Sequence, residues 1–96
     1  MGRQELKPFD PADYLKSDEA MAEYLTAALE TEDAALIADA LGVVARAKGM
    51  TQIANETGLG RNSLYKALSR EGNPELSTVL RVIRALGLKL SAHPAE

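Results

Sequence analysis

The sequence predicts an all-α domain of five helices, closed by one short C-terminal β-strand. Three observations carry that expectation. Five stretches place apolar residues at helical spacing, so that each lines one side of a helix. Capping residues open the first three of these stretches, and glycine closes the second, third and last. The 96 residues are 46% hydrophobic and 26% charged, which suits one small globular core.

Taken in order, Phe9-Asp10-Pro11-Ala12-Asp13 is a turn-rich lead-in, because Pro11 fixes φ and Asp side chains bond nearby backbone amides. Residues 1–16 read as an N-terminal extension and 17–96 as the single domain. Ser17 is expected to cap the first helix, with Asp18 and Glu19 where carboxylates suit the helix dipole. Met21, Tyr24, Leu25 and Ala28 form its stripe, which ends near Glu30. Thr31 is expected to cap the second helix, with Glu32 and Asp33 in its first turn. Ile37, Ala40, Leu41 and Val44 are its apolar face, and Arg46, Lys48 and Gly49 make a basic end with a glycine stop.

Thr51 is expected to cap a short third helix through Glu56, which Gly58 terminates, and a fourth helix runs from about Arg61 to Ser69. Arg70-Glu71-Gly72-Asn73-Pro74 is a loop by composition. The last helix, from about Glu75 to Leu86, carries Leu76, Val79, Leu80 and Ile83 as its apolar face and Gly87 as its stop. Residues 88–92 then alternate apolar and polar, the period of a strand, and Pro94 ends the run. A strand alone leaves its backbone donors and acceptors unpaired. No second strand-like run occurs, so pairing with a second copy across a two-fold axis is expected. Leu88, Leu90, Ala92 and the last helix are the expected dimer contacts.

Composition excludes several classes of function. There is no cysteine, hence no disulfide, no thiolate chemistry and no Cys-type zinc site, a usage compatible with a reducing cytoplasm. No apolar run approaches the roughly 20 residues that cross a bilayer. Residues 1–7 hold no apolar stretch behind their charges, which argues against a secretory leader and for a cytoplasmic location. His93, the one histidine, has no second histidine to join it and sits against Pro94 in the tail. The acids Glu30, Glu32 and Asp33 are accounted for by capping, and Gly58-Leu59-Gly60 lacks the lysine and strand of a phosphate-cradling loop. No nucleophile, base and oxyanion site assembles, so no enzyme, cofactor, metal or small-molecule ligand is expected.

Charge is divided unevenly. Residues 1–33 carry three basic and nine acidic side chains, a net −6, whereas residues 34–96 carry eight basic and five acidic ones, a net +3. The basic body points toward nucleic acid and the acidic lead-in toward a different partner.

Residues 50–69 carry the most specific signal. They match the twenty-residue helix-turn-helix pattern at the positions that set its mechanics. Ala54, fifth, lets two helices approach; Gly58, ninth, suits the left-handed backbone of the turn; Ile53, Leu59 and Leu64 face the core. In that geometry the second helix enters the major groove N-terminus first. Gly60, Arg61 and Asn62 open it, and Tyr65 and Lys66 lie one turn further along. Arg61 suits a bidentate contact to guanine O6 and N7, and Asn62 one to adenine N6 and N7, although either suits a phosphate equally well. Ser63, Tyr65 and Lys66 are expected at phosphates or in mixed contacts, with Thr51 and Gln52 anchoring the backbone from the preceding helix.

Met50-Thr51-Gln52-Ile53-Ala54, Ser63-Leu64-Tyr65-Lys66-Ala67-Leu68, Gly72-Asn73-Pro74-Glu75 and residues 78–88 together resemble the addiction-module antidote proteins. These are HigA-like antitoxins whose helix-turn-helix domain is of the Xre, or lambda-repressor-like, type. Residues 9–15 and 24–30 share the likeness, which covers about residues 6 to 92. One departure is Gly60, where relatives usually carry a serine cap. The resemblance implies a cytoplasmic homodimer that binds its own operator DNA. It also implies neutralisation of a RelE/HigB-like toxin encoded beside it, as in type II toxin-antitoxin modules. Such toxins bind RNA and are basic, which assigns the acidic lead-in to the toxin, with Asp10, Asp13, Tyr14 and Glu23 as its expected contacts. The alternative is an Xre-family transcriptional regulator with no toxin partner.

Overall fold

The computed structural model describes residues 10–95; Phe9 and the rest of the expected extension before Asp10 lie outside them. Within that range a 3-10 turn, Pro11–Tyr14, is followed by α1 (Asp18–Glu30), α2 (Ala34–Lys48), α3 (Met50–Thr57), α4 (Arg61–Ala67) and α5 (Leu76–Ala85). Among the described residues there is no β-strand, and no helix is long and apolar enough to cross a membrane.

Ser17 caps α1 as expected, its hydroxyl accepting from the Ala20 N–H at 3.1 Å. The cap of α2 differs from expectation. Thr31 closes α1 instead, donating to the Ala28 carbonyl at 2.6 Å and accepting from the Asp33 N–H. Glu32 sits at φ 57, a left-handed backbone that cannot belong to a first helical turn. The chain therefore pivots at Glu32, and the Asp33 carboxylate caps α2 by accepting from Ala35 and Leu36. Likewise α3 begins at Met50 behind Gly49, which places Thr51 inside the helix rather than at its cap.

The core is built around α2. Ala38, Ala40, Leu41, Gly42, Val43, Val44 and Ala45 are all buried, more than one stripe, because other elements surround this helix. Met21 and Leu25 of α1, Met50, Ile53 and Ala54 of α3, Leu64 and Leu68 from α4 and its end, and Val82, Ile83 and Leu86 from α5 and its end pack with it. Gly42 is needed for this packing. A Cβ there would collide with the backbone carbonyl of Leu68, so α2 and the end of α4 meet backbone to backbone.

Two expectations about the C-terminal third are corrected. The inward side of α5 is Val79, Val82, Ile83 and Leu86, itself an i, i+3, i+4, i+7 set, while Leu76 and Leu80 are left 69% and 48% exposed. The expected strand at 88–92 does not form. A strand is defined by a neighbouring ladder, and no described segment lies beside this one to supply it. Leu88 instead packs against the core, and Leu90 and Ala92 stay exposed beside Leu29 of α1.

Candidate nucleic-acid interface

Residues 49–68 fold as two helices joined by a tight turn. α3 stops because Gly58 turns left-handed at φ 75, as its place in the sequence requires, with its N–H still bonded to the Ala54 carbonyl. Thr57, which the sequence reading passed over, staples the corner. Its hydroxyl donates to the Ile53 carbonyl at 2.7 Å and accepts from the Leu59 N–H at 3.3 Å. The signal for it was a hydroxyl residue immediately before a helix-ending glycine. Ile53 and Leu64 are fully buried and Ala54 nearly so, with Leu59 packed on the same cluster, and these hold the two helices at a fixed angle.

That anchoring leaves one side of the pair exposed. Thr51, Gln52, Gly60, Arg61, Asn62, Ser63, Tyr65 and Lys66, all the residues expected to meet nucleic acid, lie on the surface. Gln52 donates to Glu56 at 3.1 Å. Arg61 lies over the Tyr65 ring, 5.6 Å from its centroid, and its Nη2 reaches the Tyr65 hydroxyl at 3.5 Å. No side chain caps α4, since Gly60 stands at its start.

The exposed basic side chains of the described residues, those of α4 among them, stay outside their ion pairs. Among the described residues two ion pairs form, Arg46 with Asp10 at 2.9 Å and Lys48 with Asp18 at 3.7 Å. Both tie the N-terminal lead-in and α1 to the end of α2. Arg61, Lys66 and Arg70 are exposed and pair with no carboxylate.

The residues expected to meet a protein partner divide into two groups. Asp13, Tyr14 and Glu23 are exposed. Asp10 is occupied within the chain, accepting from Arg46 and from the Ala12 N–H. The Arg46 hydrogen bond, and secondly that of Ala12, hold its carboxyl below the ordinary value of 3.8. Among the described residues no three His, Asp or Glu side chains gather as metal ligands.

Comparison with known proteins gives the family of the chain. A Haemophilus influenzae protein, described only as uncharacterized, is 46% identical over 93 residues, which are 97% of this chain and 96% of that protein. No solved structure matches. A family described as "Probable addiction module antidote protein" matches residues 5–94. The chain thus belongs to the family of probable addiction-module antidote proteins.

Proposed function

We propose that this protein is the antitoxin of a type II toxin-antitoxin module, HigA-like, with an Xre-type helix-turn-helix formed by α3 and α4. In this reading α4 enters the major groove of operator DNA and represses the operon, while a second surface binds and neutralises a RelE/HigB-like toxin in the cytoplasm. The observation that carries the DNA half is the α4 surface, where Arg61 and Lys66 are exposed and without carboxylate partners beside Asn62 and Tyr65. Unpaired basic side chains on a rigid helix are what phosphates and base edges recruit.

The active form is a homodimer. Leu76, Leu80 and Leu90 are large apolar side chains left exposed in the single chain, and a two-fold partner would cover such residues while spacing two copies of α4 about 34 Å apart. Sedimentation of the intact chain at micromolar concentration checks this; a monomer there refutes it.

The DNA test uses fragments from the promoter of the chain's own operon and scrambled duplexes at several salt concentrations. Lys66→Ala should weaken binding evenly and lower the salt slope by about one. Arg61→Ala should cost about 1–3 kcal/mol and relax sequence choice. Equal affinity of the native chain for both DNAs refutes operator repression. The toxin test reverses Asp13 and Glu23 to lysine and measures association with the product of the adjacent gene at low salt. Asp10 is left intact there, because reversing it would set two cations against each other at Arg46. Operator binding without any such toxin would assign the regulator role alone.

A further inference from the structure

Arg61 and Tyr65 stand four positions apart, one above the other on the exposed side of α4. Tyr65 is 42% exposed and takes no part in the core cluster, so its ring is not spent on holding the fold together. The guanidinium of Arg61 lies over that ring, 5.6 Å from the centroid, and its Nη2 donates to the phenol oxygen at 3.5 Å. Among the described residues this is the one cation–π pair; Arg70, Arg81 and Arg84 have no such support.

How the arginine is held matters for what it can still do. A bidentate carboxylate partner would take two of the five N–H donors and offset the charge, leaving less for a base or a phosphate. An aromatic ring holds the guanidinium through its charge and through one N–H to the hydroxyl, and leaves the other N–H donors unused. One of the five N–H groups goes to the Tyr65 hydroxyl, and enough remain for a bidentate contact to guanine O6 and N7. An exposed arginine otherwise surrenders much side-chain freedom when it docks, a loss that prior ordering avoids.

Resting on the DNA-binding reading above, we infer that Tyr65 is a positioning residue, which sets the Arg61 fork before DNA arrives. Discrimination at the base pair read by Arg61 therefore depends on Tyr65, whether or not Tyr65 touches that base. The ring supplies most of the effect and the hydroxyl less, since 3.5 Å is a long hydrogen bond.

Two measurements on the full chain test this. The first follows the Arg61 Nε–Hε group by nitrogen relaxation in the free protein. Tyr65→Leu should make it more mobile and Tyr65→Phe should not, with Tyr65→Ala as a second ring-free variant should Leu perturb folding. The second selects duplexes from a library with a randomised central segment, using wild type, Arg61→Ala, Tyr65→Leu and Tyr65→Phe. The guanine preference that Arg61→Ala abolishes should fall about three- to tenfold in Tyr65→Leu and less than about twofold in Tyr65→Phe, with preferences elsewhere retained. An Arg61 fork as rigid in Tyr65→Leu as in wild type overturns the positioning role. Unchanged guanine preference in that variant, or loss at positions Arg61 does not read, overturns it too. A wild-type chain that enriches no sequence overturns the DNA-binding reading and the specificity that rests on it, while the relaxation measurement still decides whether Tyr65 orders Arg61.

Discussion

Arg46 and Lys48 at the end of α2, and Arg61 and Lys66 on α4, are the same kinds of side chain put to opposite uses. The first two meet Asp10 and Asp18 and fasten the lead-in and α1 to the body. The second two meet no carboxylate, and Arg61 is steadied by an aromatic ring instead. The difference separates structural charge from available charge. A basic residue matched by an acid inside its own chain is already neutralised, whereas an exposed and unmatched one retains its attraction for an outside anion.

The comparison can be broken most forcefully by removing what anchors α4. Leu64 is the one fully buried side chain on that seven-residue helix, so Leu64→Ala should cost about 2–5 kcal/mol in urea unfolding. It should also abolish the proposed DNA binding while Arg61 and Lys66 remain in the sequence. A smaller effect comes from the corner. A Cβ on Gly58 meets nothing within 4 Å, so Gly58→Ala should cost only the left-handed backbone penalty, about 1–2 kcal/mol. A larger loss would mean that the corner is packed and not merely bent.

The smallest effect sharpens the comparison from the paired side. Asp10 has its carboxyl lowered in the folded chain, so its contribution is present above the ordinary value of 3.8 and fades as pH falls through the lower folded-state value. Asp10→Asn should therefore be slightly less stable than wild type near neutrality, and the two denaturation curves should converge in acid. Lys66→Ala, with no partner to lose, should leave stability within about 0.5 kcal/mol at either pH.

What the sequence made legible follows from how local each cause is. Ile53, Ala54, Gly58 and Leu64 could be assigned because each answers to its own position within one corner, and the exposure of Arg61, Asn62 and Lys66 follows from those four. The cap of α2 was not legible in this way. Thr31 and Asp33 are both good capping residues, and the backbone of Glu32 between them decides which is used. The strand at 88–92 failed for the opposite reason, since its alternation was real but a strand needs a neighbour that local sequence cannot provide. On α5 two apolar sets, one starting at Leu76 and one at Val79, share the same i, i+3, i+4, i+7 spacing, so spacing alone could not choose between them; packing against the rest of the core buried the second. Arg61 and Tyr65 were each expected to meet DNA, but the sequence did not show their contact with one another.

Gly42 carries a mechanical consequence. Where two helices are separated by side chains, those side chains can change rotamer and absorb a displacement. Between α2 and the end of α4 there is no such cushion, because the backbone of Leu68 rests directly against position 42. A displacement of α2 is therefore expected to reach α4 as a shift of backbone rather than to be absorbed by rotamers.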